Sequence, residues 1–241
     1  MSGHSKWANI KRRKEATDSK KANIFSKIGK EITVAVKTGG SGDPSINSKL
    51  RDVIAKAKSN NMPNDNINRC VQKAIGDANG SNYEEITYEG FGPCGVSVIV
   101  ESMTDNKNRA AADIRCIFNK SGGSMGQTGS VSYMFDKKGY ILIEKTPSLN
   151  EDALMMDALE DGADDVILEE EYIEIITSVD KFSKIRESLE NKSYTILEAD
   201  IRQLPNIKKD LTEEEEEKFL NFIDKLEEND DVQNVWHNAD I

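Results

Sequence analysis

The most informative pattern in the sequence runs from residue 140 to residue 201 and reads YILIEKTPSLNEDALMMDALEDGADDVILEEEYIEIITSVDKFSKIRESLENKSYTILEADI. Short runs of β-branched and aromatic residues predict four strands, at Tyr140–Glu144, Asp165–Glu169, Tyr172–Thr177 and Tyr194–Ile201. Helical apolar spacing follows the first strand, after Asn150 as a cap, and again follows the third. The order is therefore β-α-β-β-α-β, which is that of a ferredoxin-like domain.

The N-terminal third of the chain has a different pattern, with three short amphipathic helices. The first carries an apolar stripe from Phe25 onward and ends at Gly39-Gly40. The second starts near Ser45, a plausible N-cap, and has Ile46 and Leu50 on its apolar face. The third follows Pro63 and ends at Gly76. Helices of this length with short links predict a small helical domain.

The remaining segments predict a mixed middle domain. The pattern changes at Tyr83, and strands are expected to open at Ile86 and Tyr88 and to run over Val96–Val100, with a helix from about Asn106 to Lys120. A further strand, Val131–Phe135, is expected just before the ferredoxin-like order. Near the C-terminus, Thr212 and Glu215 form a capping-box pattern before a helix and a last short strand. One helix and one strand cannot form a core alone, so we place them with residues 79–130.

The predicted fold class is therefore α+β, with an N-terminal three-helix domain followed by two mixed α/β domains, one of them ferredoxin-like. The domains are residues 1–78 (basic arm and helical domain), 79–130 plus 203–241 (discontinuous middle domain) and 131–202 (ferredoxin-like domain).

Composition and motifs exclude several classes of function. Uncharged apolar runs are far shorter than the roughly 20 residues of a membrane span, and the N-terminus lacks the apolar region of a signal peptide. The 3 cysteines lie far apart and the chain has only 2 histidines, which argues against a disulfide scaffold and a zinc site. No Walker A, Rossmann, nucleophile-elbow or zincin motif is present. We expect no enzyme activity, no cofactor and no metal.

Charge divides the chain sharply. Residues 1–75 contain 16 Lys and Arg against 6 Asp and Glu, a balance of +10. The net charge of -11 leaves residues 76–241 with a balance of -21. A basic end joined to an acidic remainder predicts that the basic end meets a polyanion while the remainder stays off it. A solvated lysine-rich surface is the plainer alternative for any one basic run.

The candidate binding residues are cations, with one aromatic residue, that can neutralise phosphates and stack on an unpaired base. They are Lys6, Trp7, Lys11, Arg12, Arg13, Lys14, Lys20, Lys21, Lys27, Lys30, Lys37, Lys107 and Arg109. Trp7 could instead pack on the helical domain, and Asp105 could be an ordinary N-cap for the helix that carries Lys107 and Arg109. No recognition helix with base-reading residues is evident, so phosphate contacts are better supported than sequence readout.

Glycine marks one further segment. Gly122, Gly123, Gly126 and Gly129 account for four of the eight residues between 122 and 129, which predicts a flexible loop. The loop could be a linker, or it could insert with Met125 into a narrow cavity of a larger partner.

Several motifs of the chain resemble those of the YebC/PmpR family, in order and over nearly its whole length. They are the opening MSGHSKWANIK, NMPNDNI at 61–67, YEGFGP at 88–93, TDNKNR at 104–109, GGSMG at 122–126 and DDVQNV at 230–235. The resemblance implies a cytoplasmic three-domain α/β protein with a discontinuous middle domain, which acts as a DNA-binding transcriptional regulator.

Relatives in that family, among them a mitochondrial translational activator, instead act on ribosomes, and the family is linked to relief of translational stalling. We therefore expect a nucleic-acid partner, either DNA or ribosomal RNA, possibly through the ribosome itself. We expect no membrane and no small-molecule substrate.

Overall fold

The computed structural model describes residues 18–76 and 82–241, with side chains from residue 22 onward. The helices are α1 Asp18–Gly39, α2 Ser48–Ser59, α3 Asn64–Gly76, α4 Lys107–Lys120, α5 Glu151–Glu160, α6 Val179–Asn191 and α7 Glu213–Glu227. The strands are β1 Glu84–Phe91, β2 Ser97–Thr104, β3 Ser124–Met125, β4 Phe135–Glu144, β5 Asp165–Leu168, β6 Tyr172–Thr177, β7 Ile196–Pro205 and β8 Val232–His237. The predicted α+β class is confirmed.

Helices α1, α2 and α3 pack around an apolar core. On α1, Ile28, Ile32 and Ala35 recur every three to four residues and are buried against Leu50 of α2 and Val71 of α3. Helix α2 begins later than the sequence predicts, because Asn47 and not Ser45 is its N-cap. The Asn47 side chain accepts from the N–H of Leu50, and its amide donates to the carbonyls of Ala35 and Ser41. The chain before Asn47 is therefore not helical, and Ile46 is exposed.

A second core lies between helices α4 and α7 and one face of a four-stranded sheet with the order β3-β1-β2-β8. The rings of Phe118 on α4 and Phe222 on α7 meet edge to face, with 4.9 Å between their centroids. The capping box of Thr212 and Glu215 is present at the start of α7, as the sequence predicts. Strand β8 pairs antiparallel with β2, which brings the C-terminal segment to the sheet of residues 84–125.

The segment from β4 to β7 has the predicted β-α-β-β-α-β order, and its sheet has the order β5-β6-β4-β7. Helices α5 and α6 cover one face, where Leu154, Phe182 and Leu189 bury against Ile141 and Ile175. The Asn150 side chain caps α5 by accepting from the N–H of Ala153, as predicted. This is the strand order of a ferredoxin-like fold.

One predicted strand is wrong in part. Residues 131–134 do not form a strand, because Ser132–Met134 is a short 3-10 helix and the strand begins only at Phe135. The carboxylate of Glu89 accepts from the N–H groups of Val131 and Ser132, so those groups cannot join a strand ladder.

The chain divides into two compact units. Residues 137–202 form the ferredoxin-like unit, and the described residues before 137 together with 203–241 form the larger unit. The three-domain boundaries drawn from the sequence remain a prediction. No helix in the described ranges is long and apolar enough to cross a bilayer.

Candidate nucleic-acid interface

Two of the predicted binding cations, Lys27 and Lys30, lie one turn apart on α1 and point to the end of α7. The Lys27 ammonium donates to the carbonyl of Glu227 at 2.6 Å, and that of Lys30 donates to the carbonyl of Asp230 at 2.7 Å. The last carbonyls of a helix lack partners within it and carry partial negative charge. Burial lowers the pKa of Lys27, although the nearby Glu227 and Asp230 oppose that effect. Both lysines therefore hold α1 against the C-terminal end of α7.

Asp231 connects the same contact to the start of α4. Its carboxylate accepts from Lys30 Nζ at 3.2 Å and from Arg109 Nη2 at 2.8 Å, and its side chain is only 7% exposed. Burial raises the pKa of Asp231, but hydrogen bonds from Arg109 and Lys30 outweigh it and lower the pKa overall. Arg109 also pairs with Asp105. The N-cap of α4 is Asn106, whose side chain accepts from the N–H of Arg109, so the Asp105 alternative is wrong.

A cleft of about 370 Å³ opens beside these groups within the larger unit. Its walls include Lys30, Arg109 and four aspartates, Asp105, Asp113, Asp230 and Asp231. The Lys30 ammonium lies 5.5 Å from the centre of the Tyr83 ring, within the range of a cation–π contact. Because aspartates outnumber cations there, the cleft is electrostatically unsuited to a phosphate group.

The remaining predicted residues fall in three groups. Lys107 pairs with Glu84, and Lys37 lies half-buried in the last turn of α1. Lys20 and Lys21 belong to the first turns of α1, but their side chains are outside the described residues. The other six lie outside the described ranges altogether: Lys6, Trp7, Lys11, Arg12, Arg13 and Lys14. Their role in binding stays a prediction.

Exposed cations that take no part in packing lie elsewhere on the helical bundle. Arg69 and Lys73 are one turn apart on the outer face of α3, opposite Ile67 and Val71. Lys58 is exposed at the end of α2. Within the described part of the chain, none of these three side chains makes a hydrogen bond or an ion pair. These side chains can reach a phosphate without giving up an internal contact.

The glycine-rich segment is held at both sides by Glu89 of β1. The buried carboxylate accepts from the N–H groups of Gly129, Val131 and Ser132 at 2.8 to 2.9 Å, and the Glu89 carbonyl accepts from Gly126. Burial raises the pKa of Glu89, but the three backbone hydrogen bonds outweigh it and lower the pKa. The composition predicts a flexible loop, yet these bonds fix its second half to β1.

Comparison with known proteins identifies the family. Residues 5–77 match the N-terminal domain of the TACO1/YebC protein, and residues 83–239 match its second and third domain. The chain belongs to the TACO1/YebC family. The family resemblance seen in its motifs is thereby confirmed.

Relatives of this TACO1/YebC chain cover almost its full length. A protein of Acetivibrio thermocellus is 56% identical over 239 residues, which are 99% of this chain and 98% of the relative. One from Thermoanaerobacter pseudethanolicus is 54% identical over 100% of this chain and 98% of the relative. Both are named as probable transcriptional regulatory proteins. A crystal structure of a conserved hypothetical protein from Aquifex aeolicus has a TM-score of 0.82 at 38% identity, over 93% of this chain and 92% of that one.

The roles of two buried carboxylates in this TACO1/YebC member could not be predicted from the sequence. Asp231 lies in a motif used for recognition, but only the fold brings it to Lys30 and Arg109, which are 201 and 122 residues away in sequence. Glu89 is one glutamate among several in β1, and its partners follow 40 to 43 residues later. No local signal distinguishes either carboxylate, because their donors come from other elements.

Proposed function

We propose that this protein is a cytoplasmic, non-enzymatic regulator that binds DNA through the phosphate backbone. The observation that carries the proposal is the charge division, +10 over residues 1–75 against -21 over the rest. A segment of that charge attracts a polyanion, while the acidic remainder is repelled by it. The names of the relatives support a role in transcription.

The contact surface we propose consists of the N-terminal cations and the exposed face of the helical bundle. Lys11, Arg12, Arg13 and Lys14 form a run of four consecutive cations. Arg69 and Lys73 add an exposed pair on α3. Lys27, Lys30, Lys107 and Arg109 have partners inside the protein, so we assign them a lesser part. Contacts of this kind give affinity that falls steeply with salt and read little sequence.

A ribosome-bound translation factor is the second candidate, favoured by the same acidic remainder. A protein that works among dense RNA must avoid adhering everywhere, and a charge of -21 over residues 76–241 serves that purpose. Both candidates use the same basic surface, so only their targets distinguish them.

Competition at physiological salt tests the proposal directly. The full-length protein is mixed with ribosomes and with promoter-containing and random duplex DNA of equal length, and the bound fractions are separated by sedimentation. Because backbone contacts read little sequence, we expect the protein to be retained on both kinds of duplex DNA in the presence of ribosomes. Retention on ribosomes against excess DNA would overturn the transcriptional proposal in favour of the translational one.

The variants for this experiment distinguish the loss of cations from the proposed surface from a general change in net charge. K11A/R12A/R13A/K14A and R69A/K73A should both weaken binding. The matched control is K120A/K184A, which removes two exposed lysines from the acidic part of the chain. Equal losses in the control would mean that binding follows net charge and not a defined surface.

A further inference from the structure

One surface of the ferredoxin-like unit combines concentrated negative charge with exposed apolar side chains. Residues 150–171, which contain α5 and β5, hold ten aspartates and glutamates and no lysine or arginine. The proposed nucleic-acid binding uses the basic N-terminal part of the chain and gives no role to this acidic segment. We call α5, β5 and the turn at 169–171 the acidic surface.

Apolar side chains stand outward on the acidic surface. Helix α5 buries Leu154 and Ala158 against the sheet and exposes Met156 and Leu159 to the extents of 62% and 49%. Met156 and Leu159 are three residues apart, so they are neighbours on the outer face of the helix. Single exposed apolar residues need no explanation, but a pair on one helix face does.

Strand β5 adds to the exposed apolar area. It lies beside α5 at the edge of its sheet, so within the described residues only β6 pairs with it. Ile167 and Leu168 are 37% and 43% exposed. Leu168 shares a strand face with Val166, which packs into the helix-covered core, so Leu168 lies at the margin of the face that α5 covers.

Some carboxylates of the acidic surface form ion pairs with lysines of the same unit, and others do not. Lys145 pairs with Glu151, Lys138 pairs with Asp164, and Lys192 pairs with Asp157 and Asp161. These contacts draw in carboxylates at the side of the helix and at the start of β5. The exposed carboxylates that remain around the apolar pair and the edge strand are Asp152, Glu160, Asp165, Glu170 and Glu171.

We propose that the acidic surface docks a lysine- and arginine-rich segment of another protein, whose apolar side chains cover Met156, Leu159 and Leu168. Charge complementarity selects this occupant. Nucleic acid is repelled by the carboxylates, and a second copy of the same surface would bring like charges together. A basic segment with apolar residues satisfies both features of the surface, with the apolar centre supplying affinity and the charged rim supplying steering. This inference does not depend on the proposed DNA binding.

The first experiment measures binding of a defined probe to the full-length protein. The probe is a fluorescent synthetic peptide of alternating lysine and leucine, compared with a lysine–serine peptide and a glutamate–leucine peptide of equal length. The lysine–leucine peptide should bind with the highest affinity, and anisotropy titrations at several salt concentrations give each Kd. Equal binding of the lysine–serine peptide would overturn the apolar part of the proposal, and equal binding of the glutamate–leucine peptide would overturn the charge part.

Variants place the binding on this surface. M156S/L159S should raise the Kd for the lysine–leucine peptide about tenfold, because truncating the central apolar contacts of an interface removes most of its affinity. The matched control is Y133S/I207S, two side chains that are 74% and 69% exposed outside the acidic surface. D152N/E160Q should weaken binding and flatten its salt dependence. An unchanged Kd in M156S/L159S, or an equal loss in Y133S/I207S, would place the peptide elsewhere and overturn the proposal.

Two other possible occupants of the acidic surface, the basic N-terminal segment of this chain and a second copy of the chain, are tested with the same protein. Tighter peptide binding by K11A/R12A/R13A/K14A would mean that the basic N-terminal segment of this chain competes for the surface and is its occupant. Dimerisation in sedimentation experiments that M156S/L159S abolishes would identify a second copy. Either result would overturn the proposal.

Photocrosslinking in cells identifies the chemistry of the natural partner. A photoreactive amino acid replaces Leu159 in one variant and Ile207 in the control. Peptides crosslinked through position 159 should be rich in lysine and arginine and should differ from those crosslinked through position 207. Acidic or neutral peptides, or nucleic acid, at position 159 would contradict the proposal.

Discussion

At the scale of single residues, two buried carboxylates organise the larger unit. Counted over the whole residue, Glu89 is 4% exposed and Asp231 is 5% exposed, and both carboxylates accept hydrogen bonds from distant parts of the chain. Glu89 uses three backbone N–H groups, whereas Asp231 uses a lysine and an arginine. A buried carboxylate is tolerated only when such donors replace its hydration. Each therefore fixes the elements that donate to it.

Glu89→Gln should lower the free energy of unfolding by about 2 kcal/mol, because an amide can accept fewer of the three backbone bonds and adds an unpaired buried donor. Urea denaturation at neutral pH measures the change. Glu85→Gln is the control on the same strand, where an exposed ion pair with Lys49 is worth at most about 1 kcal/mol. Equal losses in the two variants would show that Glu89 does not anchor the segment.

Asp231→Asn should also cost about 2 kcal/mol at neutral pH, since charge-assisted hydrogen bonds to Arg109 and Lys30 become weaker. The pKa of Asp231 is lower in the folded than in the unfolded protein. Its stabilisation is therefore full above the unfolded pKa of about 3.9 and is lost as pH falls through the folded pKa. The stability difference between wild type and variant should shrink at acid pH. Asp230→Asn, beside it and exposed, should cost far less at any pH.

At the scale of elements, close backbone approach shapes the glycine-rich segment as much as conformational freedom does. The segment turns after α4 and pairs with β1 through Ser124 and Met125. A Cβ at Gly123 would lie 2.5 Å from the Phe91 carbonyl oxygen and 3.0 Å from Gly92 Cα. A Cβ at Gly90 would meet the Ser124 backbone as closely. Glycine at these positions lets two backbones touch.

Gly123→Ala should destabilise the larger unit by about 2 kcal/mol or more, because the clashing atoms are backbone and cannot rotate away. Gly76→Ala is the control, since a Cβ there meets nothing within 4 Å. That variant should be neutral or slightly stabilising. Thermal unfolding of the two proteins makes the comparison, and a neutral Gly123→Ala would mean that the β1–β3 contact opens without cost.

At the scale of the whole molecule, charge differs between the basic N-terminal part and the acidic remainder, and it is also uneven within each part. The N-terminal part is basic, but Lys27 and Lys30 donate hydrogen bonds to carbonyls at the end of α7 and are therefore not available to a ligand. The acidic part is not uniform either, because its most acidic segment also carries exposed apolar residues on α5. Two different surfaces, one for phosphate and one for basic protein, therefore follow from our two proposals.

The salt dependence of duplex binding reports how many phosphate contacts the basic surface makes. Each contact contributes about 0.9 to the slope of log K against log salt concentration. K11A/R12A/R13A/K14A should reduce the slope by about 3 to 4, and R69A/K73A by about 2. K27M/K30M should change it little, because those ammonium groups are engaged with carbonyls. An unchanged slope in the quadruple variant would remove the N-terminal run from the proposed surface.

The features that depend on neighbours along the chain could be predicted from the amino-acid sequence. Helical periodicity, the Asn150 cap, the capping box of Thr212 and Glu215 and the β-α-β-β-α-β order are local patterns, and the structure contains all of them. The specific motifs also identified the family. Local signals failed at Ser45 and at residues 131–134, where Asn47 and Glu89 take the backbone groups instead.

Which charged side chains remain available to a ligand depends on contacts that form only in the folded protein. A lysine on an amphipathic helix looks the same in sequence whether it faces solvent or another element, so Lys27 and Lys73 could not be told apart. Asp231 obtains its role from partners more than 100 residues away, which no local pattern encodes. The physical reason is that a charge is free to bind a ligand only when folding has not already given it a partner, and that depends on contacts between distant elements.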